Sequence, residues 1–180
     1  GGISLGLAQT VLAAMSQAGY VDRRGRGSQG PTLLTQRERL VSAWRTAYDF
    51  SQNIIATYYT PERNILNSVR RLLREKDYAL TMHAGANLLT SFVMTEEVHL
   101  YLGAATWDRE LPELRQRMGL IELKQGGNFH FVRPYYKHSV FFHRQVLRGL
   151  KVVSPLQLYL DLYHYQPRGR EHAEYLAAQL

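Results

Sequence analysis

The chain has 180 residues, 45% hydrophobic and 21% charged, so it can bury a core as one ordinary domain or as a small one joined to a larger one. It contains no cysteine, which excludes a disulfide framework, a thiolate zinc site and a cysteine nucleophile together. Twenty-two Lys and Arg against fifteen Asp and Glu leave a formal +7, which points to nucleic acid, an anionic membrane surface or an acidic protein as partner. No apolar run reaches the roughly eighteen residues that span a bilayer. Residues 1–7 lack the basic start of a secretory signal, so the cytoplasm is the expected location.

In chain order, Ser4 reads as the N-cap of a first helix, with Ala8, Val11, Leu12, Met15 and Ala18 at helical spacing and Gly19 as its stop. The other face (Gly6, Gln9, Thr10, Ala13, Ser16, Gln17) is small, polar and uncharged. A merely solvated face usually holds Lys and Glu, so this one reads as reserved for a contact. Tyr20-Val21 and Thr32-Leu33-Leu34 read as short paired strands around a basic, glycine-rich hairpin tip carrying Arg23, Arg24 and Arg26. Thr35-Gln36-Arg37-Glu38 reads as a capping box opening a helix with Leu40, Val41, Trp44, Ala47 and Tyr48 on its buried stripe.

Helix, strand, basic loop, strand is what remains of a winged helix-turn-helix when its first two helices are absent, and residues 1–50 are read as that unit. A helix with small residues at its start, from Ser4, fits a major groove, where Gln9 and Thr10 can offer hydrogen bonds to base edges. Arg23, Arg24 and Arg26 can reach phosphates or a narrow minor groove. Residues 1–50 hold six arginines (Arg23, Arg24, Arg26, Arg37, Arg39, Arg45) against three acids (Asp22, Glu38, Asp49), a local +3.

Residues 51–180 read as a mixed α+β domain, making the whole chain α+β. Strands are expected at 54–59, 78–81, 97–102, 119–124, 128–133 and 151–153. A helix is expected to start at Thr60-Pro61-Glu62 and run to about Glu75. A small-residue helix follows near 84–91, and a polar one near 109–118. Ser154-Pro155-Leu156-Gln157 is a second capping box, opening a helix apolar on nearly every side and therefore buried. A last helix carries Ala173, Leu176, Ala177 and Leu180 on one stripe.

Three constellations bear on chemistry. Gln157 and Asp161 share a helix face, and Arg168 beyond the turn can return to Asp161; this is a structural ion pair or a polar pocket used in function. Glu122-Leu123-Lys124 resembles the acid-x-lysine element of metal-dependent restriction-type nucleases, with Asp108 the nearest upstream acid. Seven histidines (His83, His99, His130, His138, His143, His164, His172) fall in no helical metal-binding spacing and read as ordinary core or surface residues. There is no phosphate-cradling loop and no Ser-His-Asp pattern, so no enzyme, no cofactor and no metal is read from the sequence.

With both halves laid out, the chain resembles the AbiE antitoxin family, predicted transcriptional regulators of phage-defence loci. The resemblance lies in Ser4-Leu5-Gly6 through Gly19-Tyr20-Val21 with the arginine-rich wing, in Leu40-Val41-Ser42-Ala43-Trp44, in Tyr78-Ala79-Leu80-Thr81, and most specifically in residues 153–162 with Arg168-Gly169-Arg170-Glu171 behind them. It implies a winged helix that binds double-stranded DNA at its own promoter and represses its operon, and a C-terminal domain that counteracts a nucleotidyltransferase-like toxin without a stable complex. Two departures stand out: the family's glycine after the Tyr-Ala-Leu-Thr strand is replaced by Met82-His83, and the leading helices are missing. The competing readings are a metal-dependent nuclease and a protein-interaction module without DNA binding. The latter draws on the aromatic stretch Phe129, Phe131, Tyr135, Tyr136, Phe141 and Phe142.

Overall fold

A computed structural model describes residues 4–23, 31–136 and 139–179. The chain divides into two compact units, Gly1–Tyr48 and Asp49–Leu180.

The first unit holds α1 (Leu5–Gln17), the antiparallel pair β1 (Val21–Arg23) and β2 (Thr32–Leu34), and α2 (Arg37–Ala47). Ser4 caps α1 by accepting the Leu7 N–H at 3.2 Å. The helix closes in a Schellman turn: Gly19 sits at φ +75°, its N–H reaches Ser16 O, and the Tyr20 N–H reaches Met15 O. The Tyr20 carbonyl then accepts from the backbone of Thr35 and Gln36 and from the Thr35 hydroxyl, tying the hairpin exit to the helix end. This overturns the first capping box. The Thr35 hydroxyl is used on Tyr20, and α2 starts after Gln36 with no side-chain cap. Neither α1 nor α2 buries a residue; Ala8, Leu12 and Met15 are half-buried or exposed, and Val11 and Trp44 are exposed. The unit is a helix, a hairpin and a helix.

The second unit contains β3 (Ile54–Tyr59), α3 (Ile65–Leu72), β4 (Tyr78–Thr81), α4 (Met82–Ala86), β5 (Val98–Leu102), α5 (Trp107–Arg117), β6 (Ile121–Glu122), β7 (Phe129–Arg133), β8 (Gln145–Leu147), β9 (Leu150–Val152), α6 (Pro155–Tyr163) and α7 (Gly169–Ala178). Its sheet runs β6-β3-β7-β5-β4-β9-β8. The pairs β7–β5 and β4–β9 are parallel, the other four antiparallel. The central strands β4 and β5 are buried at every position, as expected of strands covered on both faces. Successive side chains alternate, so Leu80, Leu100 and Phe131 form an apolar layer on one face, all fully buried. The other face carries Thr81, His99 and His130.

Two differences from the expected elements have identifiable causes. The third helix begins at Ile65, not at Pro61, because Thr60 is held extended by a reciprocal pair with Asn128: Thr60 N–H to Asn128 Oδ1 at 2.9 Å and Asn128 Nδ2 to Thr60 O at 2.8 Å. Asn64 becomes the cap, accepting from Asn67 N. The strand β8 is absent from the expected set; it is joined to β9 by the two-residue turn Arg148-Gly149, both at positive φ, as a type I′ hairpin requires. At the β4–α4 junction Met82 is buried at φ +51°, the left-handed region that glycine occupies without strain, which is a physical reason for the glycine expected there. The second capping box forms at Ser154, whose Oγ accepts the Gln157 N–H at 3.2 Å with Pro155 at the first turn. In α7 the buried positions are Gly169, His172, Ala173 and Leu176, while Ala177 is exposed and Leu180 lies outside the described residues.

Candidate functional site

Polar groups concentrate in the second unit on the sheet face that α4, α6 and α7 share. Strand register creates the arrangement. Thr57, His130, His99 and Thr81 are directly opposed across β3, β7, β5 and β4, forming one polar row through the middle of the sheet. Thr57 is half-buried and the other three are buried, which is unfavourable unless each finds a partner.

At one end of the row the partner is Asp161, 1% exposed on α6. Its carboxylate accepts from the Thr81 hydroxyl, from Tyr101 Oη at 3.1 Å and from Gln157 Nε2 at 2.8 Å. The four-residue spacing of Gln157 and Asp161 places them on one face, as expected. Arg168 is a correction. Its Nε pairs with Glu171 at 3.1 Å, and its guanidinium lies 5.4 Å over the Phe92 ring, so the return to Asp161 is not made. Three uncharged side chains, Thr81, Tyr101 and Gln157, donate to the buried carboxylate.

The rest of the row runs into a histidine chain. His99 and His130 stack at 4.1 Å and 14°. Tyr165 contacts His99 and His83 edge-on, and its hydroxyl donates to Glu97 at 2.7 Å. His83 and His172 stack in turn, with their Nδ1 atoms 2.9 Å apart. The protons in this second pair follow from the acceptors. His83 Nε2 faces the Pro167 carbonyl, so it carries hydrogen, and the neutral ring then accepts at Nδ1. His172 must donate from Nδ1, and its Nε2 lies 2.8 Å from the Thr90 oxygen, whose hydroxyl also reaches Ala86 O at 3.1 Å. Burial holds all four rings toward the neutral form: His99 is pushed down to about 3 and His172 to about 4, with His83 and His130 also lowered. The sequence did not reveal this group, because its members are brought together by strand pairing and helix packing; the only signal was four histidines flanked by strongly apolar runs.

In the first unit, Gln9 and Thr10 are exposed on α1, and the Thr10 hydroxyl donates to Gly6 O at 3.0 Å, leaving its lone pairs outward. Ser4 is used as the cap. Arg23 lies in β1 opposite Thr32. Arg24, Arg26 and the Arg23 side chain lie outside the described residues. Glu122 is held by Arg115 at 2.8 Å, and Asp108 is exposed in the first turn of α5. Among the described residues neither acid joins a group of three metal-ligating side chains.

Comparison with known families decides the broader question. Residues 33–180 match the family described as transcriptional regulator, AbiEi antitoxin, type IV toxin–antitoxin system. The chain belongs to the AbiEi antitoxin family. The match takes in the whole second unit of this antitoxin and begins inside β2, so α1 and β1 precede it. No curated protein and no solved structure matches the chain. Among the described residues of this AbiEi-family chain, no helix is long and apolar enough to cross a membrane.

Proposed function

We propose that this antitoxin binds the promoter of its own operon through a winged-helix unit formed by its first fifty residues, and that residues 51–180 counteract a nucleotidyltransferase-like toxin. The observation that carries the DNA half is α1. It has no charged residue and no buried one, it leaves Gln9 and Thr10 outward, and it leads into the β1–β2 pair, between whose strands the sequence carries Arg24 and Arg26. A helix with short side chains can approach base edges closely, and arginines on an adjoining hairpin supply the phosphate contacts that set affinity. Family membership supports the antitoxin half.

The test is binding to the chain's own promoter across a salt series, with Arg23, Arg24 and Arg26 changed together to Ala. Preference for promoter over random duplex is expected. The log–log salt slope should be shallower by up to about 3 in the triple variant, since each phosphate that an arginine neutralises adds about 0.9. Gln9→Ala with Thr10→Ala reduces the preference without changing the slope. Equal affinity for promoter and random DNA sinks the DNA half. Coexpression with the cognate toxin tests the other half: residues 51–180 alone are expected to restore growth, and failure to do so counts against that assignment.

A further inference from the structure

The stacked pair His99–His130 poses a problem that the Asp161 cluster and the His83–His172 pair do not. In those two, each buried polar atom has a partner. In His130 only one nitrogen does: Nδ1 meets the Thr57 hydroxyl at 3.2 Å, whereas Nε2 is fully enclosed and has no hydrogen-bond partner among the described residues. His130 as a whole is 8% exposed and His99 5%. An imidazole nitrogen closed off from water without a partner is costly. Beside it stand a second buried imidazole and one carboxylate. Glu97 precedes β5 and shares the strand side of His99, and its oxygen and one nitrogen from each ring all lie within 4.8 Å of one another.

We propose that Glu97, His99 and His130 bind a divalent transition-metal ion, with zinc the best fit and one coordination position left open. The donor set is two nitrogens and an oxygen with no thiolate, which suits borderline cations. Both rings are held neutral by burial, so their lone pairs are available at neutral pH without displacing a proton. The Thr57 hydroxyl accepts from His130 Nδ1–H and thereby leaves Nε2 as the ligating atom; such a partner behind a histidine fixes its tautomer and ring orientation. Tyr165 does the same for the carboxylate, donating to Glu97 Oε2 and leaving Oε1. Ligand atoms around tetrahedral zinc lie about 3.3–3.5 Å apart, given bonds of about 2.0–2.2 Å. Drawing the group together takes a movement of the exposed Glu97 side chain and a tilt of the two rings out of their 14° stack, so that both nitrogen lone pairs point at one ion. Of the three ligands, Glu97 borders a surface cleft of about 730 Å³. Binding at this site is independent of how the chain acts on DNA or toxin.

The experiment uses the full-length chain without an affinity tag, stripped of metal with a chelator and titrated with Zn²⁺ in a calorimeter. One ion per chain is expected. The melting temperature is expected to rise by about 5–10 °C at a hundredfold excess over Kd. Co²⁺ is expected to show the visible bands of a low-coordinate nitrogen–oxygen site. Glu97→Gln keeps an acceptor for Tyr165, so the metal-free melting temperature should stay put while Zn²⁺ binding weakens at least tenfold. His130→Gln should abolish binding; if that buried substitution unfolds the chain, Glu97→Gln decides alone. Absence of stoichiometric binding overturns the proposal, and so does a Glu97→Gln variant that binds as tightly as the parent. Loss of binding in His172→Asn but not in Glu97→Gln also overturns it, by moving the ion to the neighbouring pair.

Discussion

The two units solve the problem of holding a chain in place by opposite means. In the first, neither helix has a buried residue, and Leu5, Leu7 and Val11 are 76%, 52% and 46% exposed. Its order comes from local bonds: the Ser4 cap, the Schellman turn at Gly19 and the Tyr20 carbonyl. In the second, α6 alone buries Leu158, Leu160, Asp161 and Leu162, and even polar side chains are enclosed with their partners. Apart from Val21 and Tyr48, no described side chain of the first unit is buried, whereas many in the second are bound up in the fold. A charge or a ring left inside the second unit must be explained by its neighbours.

Substitutions put this difference to the test. The largest effect is expected at Asp161. Asp161→Ala strips the acceptor from Thr81, Tyr101 and Gln157 at once, and at about 1–3 kcal/mol for each buried donor left unpaired the second unit should lose about 3 kcal/mol or more. Urea unfolding followed by near-UV dichroism measures this, and a cost below about 1 kcal/mol would mean that water takes over the role. Next comes a matched pair of truncations. Leu158→Ala, at a fully buried position, should cost about 2–5 kcal/mol, and Val11→Ala less than about 0.5. Similar costs at the two sites would remove the contrast between the units.

Acid supplies the third test. His99 and His172 protonate near 3 and 4 in the folded chain, against an ordinary value near 6.5, so the unfolded chain takes up more protons between those limits. Their contribution to stability is intact above pH 6.5 and is lost as the pH falls toward 4, by up to about 1.4 kcal/mol per pH unit for each ring. Denaturation at about pH 7.5 and about pH 5 checks the sign, and His172→Asn should flatten the slope. The smallest effect is expected from Arg168→Ala. An exposed pair three residues apart with a ring contact contributes about 0.5 kcal/mol, far from the several kcal/mol that a broken buried ion pair with Asp161 would cost.

Which parts were legible follows from how local their causes are. The strands at 54–59 and 78–81, and the helix opened by Ser154-Pro155, match the expected bounds, because β-branched runs and caps act within a few positions. Helical spacing alone pairs Gln157 with Asp161. The late start of α3 was not legible, since it depends on Asn128, sixty-eight residues from Thr60. Arg168 was misassigned for a different reason: charge suggested Asp161, but the local geometry offers Glu171 and Phe92. The histidine row was missed because His99 and His130 become neighbours only through parallel strand register, which leaves no mark on spacing.

The sheet also ends in a way that bears on how such a chain survives at high concentration. Its outermost strands are β6, with two residues, and β8, with three. At β8 an edge that short presents few unpaired backbone groups, whereas β6 covers only Tyr58 and Tyr59 of the longer β3. The exposed apolar side chain of β8, Val146, sits on an edge that offers no long ladder for fibril growth. The β8 edge should therefore resist edge-to-edge pairing, and lengthening β8 by design would remove that protection.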